Sequence, residues 1–148
     1  LALKQTTWPG RVHQIEHGKI INYRKNITIL DGAHNEDSAY VLDEYLNKKS
    51  LGKWNLIIGM LRNRDVKGFV NIFKNNINKV YAITIPNTES AYSSDQIMNK
   101  LKKSGLQVLP AKNLENALQI ADKDLPLLIT GSLYLAGYTL RFNETKIN

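Results

Sequence analysis

Short, almost wholly apolar runs alternate with amphipathic stretches along this sequence, and few folds accommodate that rhythm. Residues 54–60 form an apolar run too continuous for a strand with one wet face, and so mark a strand buried on both faces. Residues 27–30, 79–85, 106–109 and 125–130 read as further strands. Between and after them, residues 37–49, 66–75, 93–103, 114–122 and 132–142 read as helices. Ala39, Leu42, Tyr45 and Leu46 recur at helical spacing in the first, and Ser93 and Ser132 are N-caps of two others. Strands separated by helices of about 10 residues make βαβ units with right-handed crossovers. The expected fold is therefore α/β, a Rossmann-like three-layer domain with a mostly parallel sheet of about six strands. Residues 11–15 and 19–23, flanking Gly18, read as a hairpin supplying an antiparallel edge. The domain is expected to span residues 11–142, with 1–10 as a linker and 143–148 as a tail.

Composition narrows the function classes. At 148 residues, 43% hydrophobic and 22% charged, the chain suits one ordinary globular domain. No apolar run nears the roughly 18 residues that cross a bilayer, and the N-terminus lacks a secretory pattern. With no cysteine, disulfides and thiolate metal sites are excluded, and a cytoplasmic location is the default. The net charge of +7 invites a nucleic-acid reading. Against it, Lys and Arg are scattered, and the pairs Lys48-Lys49 and Lys102-Lys103 close predicted helices, where cations complement the helix dipole. A solvated surface, or attraction to a polyanionic small molecule such as a nucleotide, is the preferred reading. The sequence begins at Leu1 rather than Met and has no fold signal until Trp8, so it is expected to be a piece lacking its upstream portion.

In parallel sheets, ligands gather at the C-terminal strand ends, where helix N-termini present N–H groups. The most informative such turn is Leu30-Asp31-Gly32-Ala33-His34-Asn35. Asp31 could accept hydrogen bonds from ribose hydroxyls, while His34 and Asn35 could face phosphate or a second substrate. Equally, Asp31 or Asn35 could simply cap the helix. Trp8-Pro9-Gly10-Arg11 holds a guanidinium after a Pro-Gly turn. Gly59-Met60-Leu61-Arg62-Asn63-Arg64-Asp65 carries two more, but lacks the Gly-Lys-Ser/Thr ending of a P-loop, which occurs nowhere in the chain. Thr130-Gly131-Ser132-Leu133-Tyr134-Leu135-Ala136-Gly137 reads mainly as tight strand–helix packing. His13, His17 and His34 make no metal site, since the first two have ligand spacing only on a helix. No nucleophile with a nearby base points to covalent catalysis.

Taken in order, these four segments resemble the C-terminal domain of folylpolyglutamate synthase/dihydrofolate synthase, in the Mur ligase superfamily. The resemblance covers nearly the whole chain. It implies a cytoplasmic, monomeric two-domain enzyme of folate biosynthesis and one-carbon metabolism, using ATP and Mg2+. An N-terminal P-loop domain of the same polypeptide would carry the magnesium ligands and most of the pterin site. The implied reaction joins L-glutamate to dihydropteroate or folate through an acyl phosphate, with release of ADP. By the same resemblance Arg11 and Asp31 contact the nucleotide, and His34 lies near it in a catalytic position with Asn35 beside it; apart from the resemblance, Arg62 or Arg64 is the candidate to hold glutamate. The family's Asp-Lys-Asp is Asn63-Arg64-Asp65 here, which keeps the charge and changes its geometry. A sister ligase of peptidoglycan precursors, or a stand-alone nucleotide- or nucleic-acid-binding module, are the alternatives. The fragment alone is expected to be inactive.

Overall fold

The structure, a computed structural model, describes residues 12–144. Its strands are β1 (His13–Gln14), β2 (Thr28–Leu30), β3 (Trp54–Ile58), β4 (Ile77–Ala82), β5 (Gln107–Pro110) and β6 (Leu127–Thr130). Its α-helices are α1 (Glu36–Lys49), α2 (Val66–Phe73), α3 (Ser94–Lys100), α4 (Leu114–Ile120) and α5 (Leu133–Phe142). The strands form one six-stranded sheet in the order β1-β2-β6-β3-β4-β5. Only β1 against β2 is antiparallel; every other pairing is parallel.

The sheet is covered on both faces, which is why β3 is apolar at nearly every position. Leu56 and Ile58 join one core with Leu42 and Leu46 of α1, Phe69, Val70 and Phe73 of α2, and Ile97 of α3. Ile57 points to a second core with Leu114 and Leu118 of α4 and Leu135 and Leu140 of α5. Trp54, Leu56, Ile57 and Ile58 all have 0% exposure, and burying such side chains contributes roughly 1.5–3 kcal/mol each. Thus α1, α2 and α3 lie on one face and α4 and α5 on the other.

The expected edge hairpin needs correction. The antiparallel edge exists, but its partner is β2, with His13 opposite Leu30 and Gln14 opposite Ile29. Residues Ile20–Tyr23 form a 3-10 turn instead of a strand. The cause is a clamp from the far end of the chain. Asn143, 1% exposed, accepts from the Ile20 amide at 2.8 Å through Oδ1 and donates to the His17 carbonyl at 2.7 Å through Nδ2. Gly18 has φ +100°, and a Cβ there would stand 2.4 Å from the Asn143 carbonyl. The clamp drives Ile20, but not Ile21, into the core beside α4, so the strand-like alternation has no sheet to serve. Asn143 therefore belongs to the packed body, one residue beyond the expected domain boundary.

Downstream, Arg24 is anchored by Nη2 donation to the Leu125 carbonyl. Burial holds its guanidinium below its ordinary range, with Asp122 opposing, and burial likewise raises the Tyr81 phenol.

Candidate functional site

Adjacent parallel strands whose following helices leave to opposite faces open a crevice at their C-terminal ends. Here β2 leads to α1 on one face and its neighbour β6 leads to α5 on the other. The crevice is an open cleft of about 540 Å³, lined among others by Val12, Asp31, His34, Asn35, Val41 and Leu133.

Its floor is the turn after β2, stitched to β6 by the chain's own polar groups. The Asp31 amide donates to the Ile129 carbonyl at 3.0 Å, and the Gly131 amide to the Ala33 carbonyl at 3.0 Å. The buried Thr130 hydroxyl donates to the Asp31 carbonyl at 2.8 Å. Gly131 has φ +124°, and a Cβ on it would lie 2.4 Å from the Gly59 carbonyl. Gly131 thus allows β6 to lie close to the chain just after β3, and Thr130 ties β6 to the turn after β2, both contacts within the sheet layer where strand–helix packing was expected.

The Asp31 carboxylate is only 5% exposed. Its Oδ1 accepts from the Ala33 amide at 2.6 Å, and its Oδ2 accepts from the Val12 amide at 3.0 Å. Neither bond is a helix cap; that part falls to Asn35, whose side chain accepts from the Ser38 amide at 2.9 Å in a capping box. The His34 ring Nδ1 lies 2.9 Å from the Gly32 carbonyl. A carbonyl only accepts, so Nδ1 carries the proton and Nε2 is left for the cleft.

Among the described residues, each of the five α-helices starts with a side-chain cap: Asn35, Asp65, Ser93, Asn113 and Ser132. In α1, Glu36 and Asp37 add negative charge to the first turn. Between them Asn35 and Ser38 take up two of the amides at the start of α1, and Glu36 and Asp37 make that end less attractive to an anion.

The two arginines of the loop after β3 are placed differently. Arg64 is half-buried and lines two small cavities beside the cleft, one of about 160 Å³ with His34 and Asn35, the other of about 120 Å³ with His34, Ser132 and Tyr134. Its Nε is buried with no hydrogen-bond partner among the described residues. Arg62 is exposed, lines none of these cavities, and is tied through its backbone amide to the Ser90 carbonyl at 2.7 Å. So Asp31, His34, Asn35 and Arg64 are brought together and Arg62 is not; Arg11 lies outside the described residues. Sequence reasoning missed Val41 and Leu133, whose signal is apolar side chains left 61% and 49% exposed beside the cleft. Among the described residues no group of three His, Asp or Glu side chains could hold a metal ion.

Fold and cleft together define a Rossmann-like domain with a ligand crevice at the switch between β2 and β6. The chain belongs to the family of dihydrofolate synthetase C-terminal domains, whose profile matches residues 13–142. It is 28% identical over 141 residues to the folylpolyglutamate synthase of Lacticaseibacillus casei, covering 90% of this chain and 29% of that one. It is 24% identical over 161 residues to the dihydrofolate synthetase of Saccharomyces cerevisiae, covering 98% and 37%. Among solved structures, the Mycobacterium tuberculosis folylpolyglutamate synthase complexed with ADP and AMPPCP superposes with a TM-score of 0.80 at 21% identity, over 97% of this chain and 34% of that one. A bifunctional folylpolyglutamate synthase/dihydrofolate synthase with Mn, AMPPNP and L-glutamate bound gives 0.71 at 22% identity, over 93% and 32%. The chain thus spans about a third of the length of these relatives, and the structural likeness is one of fold.

Proposed function

We propose that this chain is the C-terminal domain of an ATP-dependent, ADP-forming ligase joining L-glutamate to dihydropteroate or a folate. The observation that carries this reading is the crevice between β2 and β6, lined by Asp31 and His34 with Arg64 in the small cavities beside it, on a chain of this family. In the reaction, a substrate carboxylate oxygen attacks the γ-phosphorus of ATP and ADP leaves. The amino group of glutamate then attacks the acyl phosphate, and phosphate departs as the amide forms. An N-terminal P-loop domain of the same polypeptide supplies the phosphate loop and the ligands of a divalent cation, Mg2+, which neutralises charge on the transferring phosphoryl group.

This chain's residues bind and orient. Arg11 pairs with the nucleotide phosphates, and His34, with Nδ1–H fixed on Gly32, offers Nε2 to the nucleotide. Asn35 holds the start of α1 in place, and Arg64 offers a fork of N–H donors matched to a carboxylate of glutamate. Stabilisation is electrostatic and is completed when the two domains close on each other. The 148-residue chain alone is inactive in this reading, and the whole polypeptide works as a cytoplasmic monomer. The peptidoglycan alternative is not favoured, since the relatives named above are folate and dihydrofolate ligases.

The test is an assay of the polypeptide encoded by the whole reading frame, with ATP, Mg2+, L-glutamate and either dihydropteroate or a reduced folate. ADP release that requires both glutamate and one pterin is expected, and Arg11→Ala and His34→Ala each lower kcat/KM for ATP by about tenfold or more. ADP release indifferent to glutamate would overturn the ligase reading. Wild-type rates in both variants at subsaturating ATP would overturn the site assignment.

A further inference from the structure

The loop after β3 is tied to the loop after β4, and one residue of that second loop holds it at two points. Leu61 and Ala91 form an antiparallel bridge, and the Arg62 amide donates to the Ser90 carbonyl at 2.7 Å. Tyr92 follows directly. Its amide donates to the Met60 carbonyl at 2.9 Å, and its phenol donates to the Arg64 carbonyl at 3.4 Å. Between those points the Arg64 amide donates to the Leu61 carbonyl at 3.0 Å, closing a turn over residues 61–64. The Tyr92 ring is half-buried against the core shared by α1, α2 and α3, with the Lys100 ammonium 4.9 Å from its centroid.

We propose that Tyr92 is a positioning residue for the Arg64 guanidinium: it pins the loop at Met60 through its main chain and at Arg64 through its phenol, so that the turn between them presents Arg64 to the cavities beside His34. The proposal rests on the glutamate reading of Arg64 for its effect on the substrate, though not for the brace. The Arg64 Nε is buried without a hydrogen-bond partner among the described residues, so packing and the backbone that carries it set the aim of the fork. A loop fixed beforehand lowers the ordering cost of binding. At 3.4 Å the phenol bond is long, so the ring carries a share of the hold and its loss costs more than loss of the hydroxyl.

Two measurements on the whole polypeptide test this. The first, amide hydrogen exchange at Arg62 and Arg64, needs no substrate. Tyr92→Ala is expected to speed it about tenfold or more and Tyr92→Phe about threefold, with the amides of α2 unchanged. Unchanged exchange at Arg62 and Arg64 overturns the brace whatever the activity. The second is a double-mutant cycle on KM for glutamate. Tyr92→Ala is expected to raise it about fivefold and Tyr92→Phe about threefold, with kcat and KM for ATP within about twofold. On an Arg64→Ala background Tyr92→Ala adds less than about twofold. Equal losses on both backgrounds, or an equal rise in KM for ATP, would overturn a role through Arg64. If Arg64→Ala itself leaves KM for glutamate unchanged, the glutamate reading falls and the exchange result decides the brace. If Tyr92→Ala does not fold, Tyr92→Phe decides both measurements by the same criteria.

Discussion

A guanidinium's worth at a site depends on where its loop aims it, and the loop after β3 shows this within three residues. Arg62 is exposed with its backbone amide bonded to Ser90, while Arg64 lines cavities shared with His34, Asn35 and Ser132 and has a buried Nε without a hydrogen-bond partner among the described residues. Nothing in Arg62-Asn63-Arg64 distinguishes the two; the difference comes from the bridge that pairs Leu61 with Ala91 from the next loop. Arg64→Ala is expected to raise KM for glutamate about tenfold, and Arg62→Ala less than about threefold, in initial-rate measurements at saturating ATP. Equal effects would mean that the loop rearranges on binding. By contrast, Asp31 and His34 were legible from their place at a strand end. The bond of the Asp31 carboxylate to the Val12 amide was not, since Val12 is 19 residues away and no local pattern encodes it.

At the scale of elements, burial on both faces made the strands easy to read, and α5 and α3 begin at Ser132 and Ser93 as their caps dictate. The segment 19–23 misled because an Ile pair before a turn looks the same whether it joins a sheet or folds under a helix. What decides it is Asn143, more than a hundred residues away, which satisfies the Ile20 amide and the His17 carbonyl. Truncating that side chain leaves both groups without their partner. Asn143→Ala is therefore expected to lower stability by about 2–3 kcal/mol, read as a fall in the urea midpoint with an unchanged slope. A loss below about 0.5 kcal/mol would show that water replaces the clamp. The Lys pairs need less explanation: Lys48 and Lys49 lie in the last turn of α1, and Lys102 and Lys103 just past α3, where helix carbonyls favour cations.

For the whole molecule, the order β1-β2-β6-β3-β4-β5 accounts for where the crevice lies, because the chain returns to insert β6 beside β2 and sends α5 to the face opposite α1. The sequence implied the layers and the parallel sheet but not this order, since apolar runs carry no label for their neighbours. The crevice is open, and its rim carries exposed Val41 and Leu133. The account of a two-domain ligase stands on chemistry that passes through an acyl phosphate. The most direct measurement uses the whole polypeptide with a pterin substrate labelled with 18O in its reacting carboxylate, plus ATP and L-glutamate. One labelled oxygen should appear in the inorganic phosphate for each amide formed, with ADP as the other product. Unlabelled phosphate, or AMP and pyrophosphate in place of ADP, would contradict it.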